Sequence, residues 1–419
     1  MTAVDNTKAA SLAQEAFLFG VPLVLIDIQA GFGSHVTEPT GLRAPVNQFG
    51  HSREFVDASD RTVVGFNVDN LYSFAFLDLS EEPVVMSVPE MGDRYWIMQV
   101  IDAWNGVPGA PGKRTHAGRG GVFLITGPGQ DVDVPDGMEQ IRCPTLITPI
   151  AGRTYCSGPE DYDAVHALQD QYRLTPLSRW GEDYEPPSHV PLKEGVDGET
   201  LVNDQFKELT AEQFYSRRNE LLVDNPEYPA DSPFLERYEE IGIAPGRKFD
   251  LSSFPVGMRA AIELGYKMGG VELMKASQSL RETEVNGWSL TYDMGRFGTR
   301  HAYRAAWTLV GVGGNLLEDA FYPTTVFDGD GNDLKGGERY ELTFAKSEIP
   351  PAAAFWSLTM YDIEAYLVPN ELDRYSIGDR SWVPPPVQKL AELSQNGSAH
   401  SSSRRSMTHG YQRGFATRT

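Results

Sequence analysis

Along the first thirty or so residues, apolar positions recur at helical spacing. Ala9, Leu12, Ala13, Ala16 and Phe17 share one face, Thr7 stands where a cap belongs, and Gly20 and Pro22 follow. This predicts a helix over 7–19. Further on, the period shortens. Runs at 62–66, 71–79, 83–88, 95–101 and 121–126 are rich in Val, Ile, Phe and Tyr, with Gly, Pro, Asn and Asp between them. Short runs at that spacing, without helices between, predict antiparallel strands. Over 203–281 the helical period returns. Thr210 and Gln213 are spaced as a capping box, Ser232-Pro233 opens a short helix to about Ile241, and Ser253 with Pro255 opens a longer one. Glycines 265, 269 and 270 each weaken that last helix by about 1 kcal/mol relative to Ala, so close packing is expected to hold it. From 288 the runs 303–310, 339–345, 354–361 and 365–368 again read as strands.

The pattern predicts a mainly β chain with a helical insert, in which two antiparallel β-sandwich domains are separated by an α-helical domain. The expected boundaries are a lead-in helix at 1–30, a first sandwich at 31–185, a helical domain at 186–285 and a second sandwich at 286–392. After Glu392 no acid remains, and residues 393–419 are rich in Ser and Arg. Such a stretch buries too little apolar surface to offset its ordering entropy and is expected to be a disordered basic tail.

Composition narrows the function. Hydrophobic residues are 41% of the 419, enough for a sizeable core. Lys plus Arg number 36 against 58 acids, a net charge of −22, which argues against nucleic-acid or anionic-membrane partners because both need basic patches. The cysteines are two, Cys143 and Cys156, outside any CxxC pair, so neither a disulfide framework nor a cysteine zinc site is expected. The eight histidines lack ligand spacing, and no metal or other cofactor is expected. The N-terminus lacks a basic start, and the apolar run 17–28 is interrupted by Gly20 and Pro22, so a cytoplasmic location is expected.

Polar residues are densest between 47 and 73. His51, Arg53 and Asp57 fall in a predicted loop, and Asn67, Asp69 and Tyr72 in the turn into the next strand. Loops at one end of a sandwich are where such scaffolds make sites. His51 is the candidate general base, Asp57 or Asp69 its orienting carboxylate, and Arg53 or Arg114 the clamp for an anionic group. A second cluster, Asp102, Trp104 and Asn105, offers a ring face with polar neighbours, and Arg153 is a further candidate ligand contact. The competing reading for both clusters is structural: ion pairing of Asp57 with Arg61, turn caps, and a buried Trp anchoring a loop. The stretch from Asp328 to Leu334 has the look of a calcium loop but carries Asp333 and Arg339 where that loop needs Gly and Glu, so a hairpin turn is expected.

The chain resembles bacterial two-part proteins classed as domains of unknown function, family 1254 N-terminal and family 1214 C-terminal. The N-terminal likeness runs from Ala16 to Val24 through Asn47-Gln48-Phe49, His51-x-Arg53, Asn67-x-Asp69-x-Leu71-Tyr72-Ser73, Asp102-x-Trp104 and Gly152-Arg153-Thr154 to Ser178. The C-terminal likeness includes Glu318-Asp319-Ala320, Phe355-Trp356-Ser357-Leu358-Thr359 and Arg374-Tyr375-Ser376-Ile377-Gly378. The resemblance implies two β-sandwich domains around a helical one, assigns no reaction, and comes with relatives that often look exported. Where the family has Pro-Asn-x-Asp-Thr-x-Tyr-Ser, this chain has Phe66-Asn67-Val68-Asp69-Asn70-Leu71-Tyr72-Ser73. Beyond Arg380 the family's closing strands are not recognisable, which would leave the second sandwich an unpaired edge.

The functional expectation is a metal-independent hydrolase or lyase acting on a small molecule or glycan at the loop end of the first sandwich. The alternative is a non-catalytic small-molecule or carbohydrate-binding protein using the same cleft, and a homo-oligomer is allowed for in either case.

Overall fold

A computed structural model of the chain describes residues 5–60, 65–280, 283–379 and 406–407. Arg61 and nearly all of the expected tail at 393–419 lie outside the described residues. The chain divides into two compact units. The first comprises residues up to Phe55, Asp69–Leu280 and Asp293–Ala320; the second comprises Val56–Val68, Arg281–Tyr292 and the chain from Phe321.

The first unit opens with α1 (Asn6–Ser34), a single 29-residue helix. Asp5, not Thr7, caps it by accepting from the Lys8 amide at 2.8 Å. Gly20 and Pro22 do not end it. Pro22 forfeits one ladder bond, but residues 16–26 are buried without a break. This helix is long and apolar enough to cross a membrane, unlike the short interrupted run expected from sequence, and most of that apolar stretch is covered by protein.

Two four-stranded sheets follow. One is ordered β1 (Gly50–His51), β2 (Asn70–Asp78), β7 (Ile147–Tyr155), β4 (Trp96–Val100), all antiparallel. The other is ordered β6 (Glu139–Arg142), β5 (Gly121–Thr126), β3 (Val84–Val88), β8 (Arg173–Pro176), antiparallel except for the β5–β6 pair. Ala75, Leu77, Trp96, Met98 and Ile150 of the first sheet share one core cluster with Val84, Met86, Phe123, Ile125 and Leu174 of the second. The short helices α2 (Lys113–His116) and α3 (Tyr162–Gln169) lie in the connections.

The remaining helices are α4 (Val202–Lys207), α5 (Ala211–Leu221), α6 (Ser232–Tyr238), α7 (Val256–Gln278) and α8 (His301–Val310), and each of them packs on α1. The Thr210–Gln213 capping box at the start of α5 forms in both directions. Phe17 sits among Phe214, Phe206 and Tyr266, with ring centroids 4.9–6.2 Å apart. At the α1–α7 contact a Cβ on Gly265 would lie 2.2 Å from the Ala10 carbonyl, and one on Gly269 would lie 2.5 Å from the Phe17 ring. Gly270 faces open space.

The mainly β, two-sandwich expectation is corrected here. The helices of the first unit own the largest core cluster. Residues 303–310, expected as a strand, form α8, because Arg304, Ala305, Ala306 and Thr308 make one buried helical face. Described strands in the second unit occur only in pairs: β9 (Thr283–Val285) with β10 (Trp288–Leu290), β11 (Glu341–Leu342) in parallel with β14 (Ser406–Met407), and β12 (Ser357–Thr359) with β13 (Ser376–Gly378). Aromatic and β-branched residues occur in this region, but strands of two or three residues do not close a sheet over a core. The Asp328 loop is a turn, closed by the Phe327–Asp333 bridge and by Asp328 Oδ1 accepting from the amides of Asp330 and Asn332.

The glycines of α7 give a prediction of opposite signs. Gly265→Ala overpacks the helix contact and is expected to lower stability by about 1–3 kcal/mol. Gly270→Ala, with nothing to meet, is expected to raise it by up to about 1 kcal/mol. Urea unfolding of both variants checks this; equal effects would mean that α7 does not lie on α1 in this register.

Candidate functional site

The residues expected to form one site divide between the units. Asp57 and Asn67 belong to the second unit, and His51, Arg53, Asp69, Tyr72, Asp102, Trp104, Asn105, Arg114 and Arg153 to the first. In the second unit Asp57 and Asp60 line a shallow surface hollow with Phe66 and Tyr366. Asp57 Oδ1 accepts from the amide and hydroxyl of Ser59, and these bonds hold its carboxyl below the usual range. That is the local turn chemistry of an aspartate.

In the first unit His51 ends the edge strand β1. Its Nδ1 is 2.8 Å from the Ser73 hydroxyl, and its ring lies near Phe49 and Tyr172. Burial, with the neighbouring Arg53 charge, lowers its pKa to about 4; Asp170 opposes this and Arg173 adds to it. A neutral imidazole facing a serine has the composition of a nucleophile pair, but Ser73 is wholly buried and its hydroxyl is also 3.3 Å from Gln169 Nε2. Arg53 is paired to Asp170 at 2.5 Å. Asp69 is buried, and its carbonyl accepts from the Cys156 amide. Tyr72 is buried, with the Arg153 guanidinium 5.6 Å from its ring centroid. Arg114 grips Asp319 side-on, Nε to Oδ1 at 2.7 Å and Nη2 to Oδ2 at 2.9 Å. Both expected anion clamps therefore hold carboxylates of this chain.

The second cluster is internal. Trp104 is 0% exposed; its indole N–H donates to the Pro226 carbonyl at 2.9 Å and its ring packs 4.8 Å from that of Phe19. The expectation of an open ring face is corrected, since a loop that follows a fully buried strand is drawn under the helices. Asp102 accepts from the amides of Trp104 and Gly106 and, at 2.5 Å, from the Tyr228 hydroxyl. Burial raises its pKa, and these bonds oppose the rise. Gly106 is required there, because a Cβ would lie 2.2 Å from the Tyr228 oxygen. Asn105, at φ +63°, donates to Thr308 at 3.1 Å and accepts from the Gly313 amide at 3.0 Å.

Around this turn lie residues that the sequence reading did not single out. Arg304 is buried, with its guanidinium 5.4–5.7 Å from the ring centroids of Trp104, Phe19 and Tyr228. Both its terminal nitrogens donate to Asp231 Oδ2 at 3.1 Å, and His301 Nε2 is 2.8 Å from Asp231 Oδ1. Burial would raise the Asp231 carboxyl, but the His301 bond and the Arg304 charge hold it below the usual range.

Arg218 reaches the other side of the cluster, 5.2 Å from the Phe19 and 5.5 Å from the Tyr238 ring centroid. It is 0% exposed. Its stem fills the space that a side chain at Gly20 would need, since a Cβ there would lie 2.7 Å from Arg218 Cδ. Nη1 makes a long 3.4 Å bond to Asn219, while Nε, Nη2 and the Tyr238 hydroxyl have no partner among the described residues. Burial lowers the arginine to about 10, so it stays charged at neutral pH. A sequence signal existed: Arg218 shares the apolar face of α5 with Phe214, Tyr215 and Leu222. For Arg304 that signal was hidden by the strand reading of 303–310.

Residues 46–176 match the family described as a protein of unknown function (DUF1254), and residues 319–398 match that described as a protein of unknown function (DUF1214). The chain belongs to these two families, the first N-terminal and the second C-terminal. The DUF1254 match covers His51, Asp102 and Trp104 but neither Arg218 nor Arg304, which lie between the two matched segments. No curated protein matches the chain. Among solved structures it is similar to the VPA0106 protein from Vibrio parahaemolyticus, at 22% identity over 89% of this chain and 84% of that one, with a TM-score of 0.61. A putative uncharacterized protein from Burkholderia cenocepacia matches at 11% identity over 72% and 58% of the two chains, with a TM-score of 0.27. The first likeness shows a shared fold.

His51 yields a pH prediction. Its folded pKa lies below that of an unfolded histidine, about 6.5, so the unfolded chain binds the extra proton. The contribution is complete above the unfolded value and is lost as pH falls through about 4. His51→Gln is expected to flatten the loss of stability across that window. Urea midpoints measured from neutral to acid pH check it; parallel curves for the two proteins would remove the buried, neutral histidine.

Proposed function

We propose that the chain binds a small acidic molecule, presenting a carboxylate or phosphate group to Arg218, and does not turn it over. The observation that carries this reading is the Nε–Nη2 edge of a guanidinium that is buried, charged and without an acceptor among the described residues. That edge is the fork that takes two anionic oxygens side-on, as Arg114 takes Asp319. Burying a cation without an anion costs several kcal/mol, which an anionic ligand would offset. The Tyr238 hydroxyl, whose ring lies beside the same guanidinium, is a second polar group for the ligand. The rings of Phe19 and Tyr238 flank the guanidinium.

Binding is favoured over hydrolysis or lyase chemistry because the acid–base groups of the first unit are engaged. His51 is too weak a base near neutral pH, and its serine is buried. Asp102 already accepts three hydrogen bonds.

Thermal unfolding in acetate, inorganic phosphate and neutral acetamide at matched ionic strength tests the proposal. One or both anions are expected to raise the Tm by mass action, acetamide is not, and Arg218→Met is expected to lose the rise. Without ligand, Arg218→Met should be neutral or stabilising by about 1 kcal/mol, as when a buried charge gives way to an apolar side chain of similar length. Failure of both anions to shift the Tm, or a shift kept in Arg218→Met, would sink the reading. So would a loss of several kcal/mol in the ligand-free variant, which would make the guanidinium structural.

A further inference from the structure

Helix α7 is apolar on both sides. Its inner face, with Ala261, Ile262, Gly265, Gly269 and Leu273, is buried. Its outer face carries Val256, Leu264, Met268, Val271 and Met274, each 44–73% exposed. At about 100° per residue these five, with Ala260, fall within an arc of roughly 120° turned away from the buried face, which Lys267 and Lys275 also enter, and they extend about 27 Å along the axis. A surface helix normally turns mostly charged and polar residues outward. Scattered exposed apolar residues need no explanation, but five large ones gathered on one side of a helix mark an interaction surface.

We infer that this face is covered by the same face of a second copy of the chain, packed antiparallel about a two-fold axis. The charge pattern selects this occupant. The chain as a whole carries −22, so two copies repel over most of their surface. Helix α7 instead carries Arg259, Lys267 and Lys275 against Glu263 and Glu272, close to balance. Lys267 lies just inside one edge of this arc, and Glu263, four residues earlier, lies just outside the same edge. An antiparallel pair crossing near Leu264 sets Glu263 of each copy beside Lys267 of the other, with the two Leu264 side chains meeting at the axis. A two-fold interface needs such a self-complementary patch. Met268 and Met274 are unbranched and adapt to such packing.

Sedimentation equilibrium of the full chain over a range of concentrations tests the inference. A reversible dimer is expected. Leu264→Glu, at an exposed position that leaves the fold intact, should weaken it by about tenfold or more. Glu263→Lys and Lys267→Glu should each weaken it, and the double exchange should restore it, which a merely sticky surface would not do. A monomer at every concentration overturns the inference, as does a dimer indifferent to Leu264→Glu or single exchanges that the double exchange does not rescue. A monomer that floats with neutral phosphatidylcholine vesicles and loses this with Leu264→Glu would assign the face to lipid and also overturn it.

Discussion

The burial of the middle of α1, residues 16–26, on all sides is the constraint on which the first unit depends. A helix with Pro22 in its middle and Gly20 beside it has little reason to persist for 29 residues by itself. It persists because α4 to α8 surround it, and full burial of each large apolar side chain is worth about 1.5–3 kcal/mol. The same surround turns breaker residues into fitting parts. Gly20 makes room for the Arg218 stem, and Phe19 presents its ring to Trp104 and to two guanidiniums. The loop after β4 is thereby tied to the helices, and Asp102, Trp104 and Asn105 become interior residues.

Once α1 is in place, two kinds of arginine environment stand in contrast. Arg53, Arg94, Arg114 and Arg304 each meet a carboxylate of the chain, namely Asp170, Asp161, Asp319 and Asp231. Arg218 rests on aromatic faces instead, and burial lowers its pKa. Cation–π contact returns about 2 kcal/mol when desolvated, less than the cost of removing a guanidinium from water. Glu227 acts on this cation as a nearby charge, but no carboxylate is hydrogen-bonded to it among the described residues, and the proposed anion binding rests on that difference.

Much of the local structure was legible in the residues. Strand β5 falls where its β-rich run puts it, β2 to β4 lie within a residue or two of their runs, and the Thr210–Gln213 box forms as spaced. The family was legible too, because its motifs are runs of neighbouring residues. These features depend on side-chain period, turn chemistry and short-range hydrogen bonds, which a linear string encodes. The close packing expected from Gly265 and Gly269 is also present, and it needed only the observation that two glycines are costly in a helix unless something approaches them.

Which polar residues meet was a different matter. Arg218 lies near Phe19 and Tyr238, Tyr228 reaches Asp102 across 126 positions, and Asp231 holds His301 and Arg304 across about seventy. No periodicity reports such meetings. They follow from how α5, α6 and α8 settle around α1, and the same packing made 303–310 a helix and closed Trp104 off from water. The sequence by itself determined the elements and the family, because both are written in near neighbours. The tertiary structure decided which charges are buried together and left Arg218 without a hydrogen-bonded carboxylate among the described residues, because desolvation belongs to a position in the folded molecule and not to a residue type.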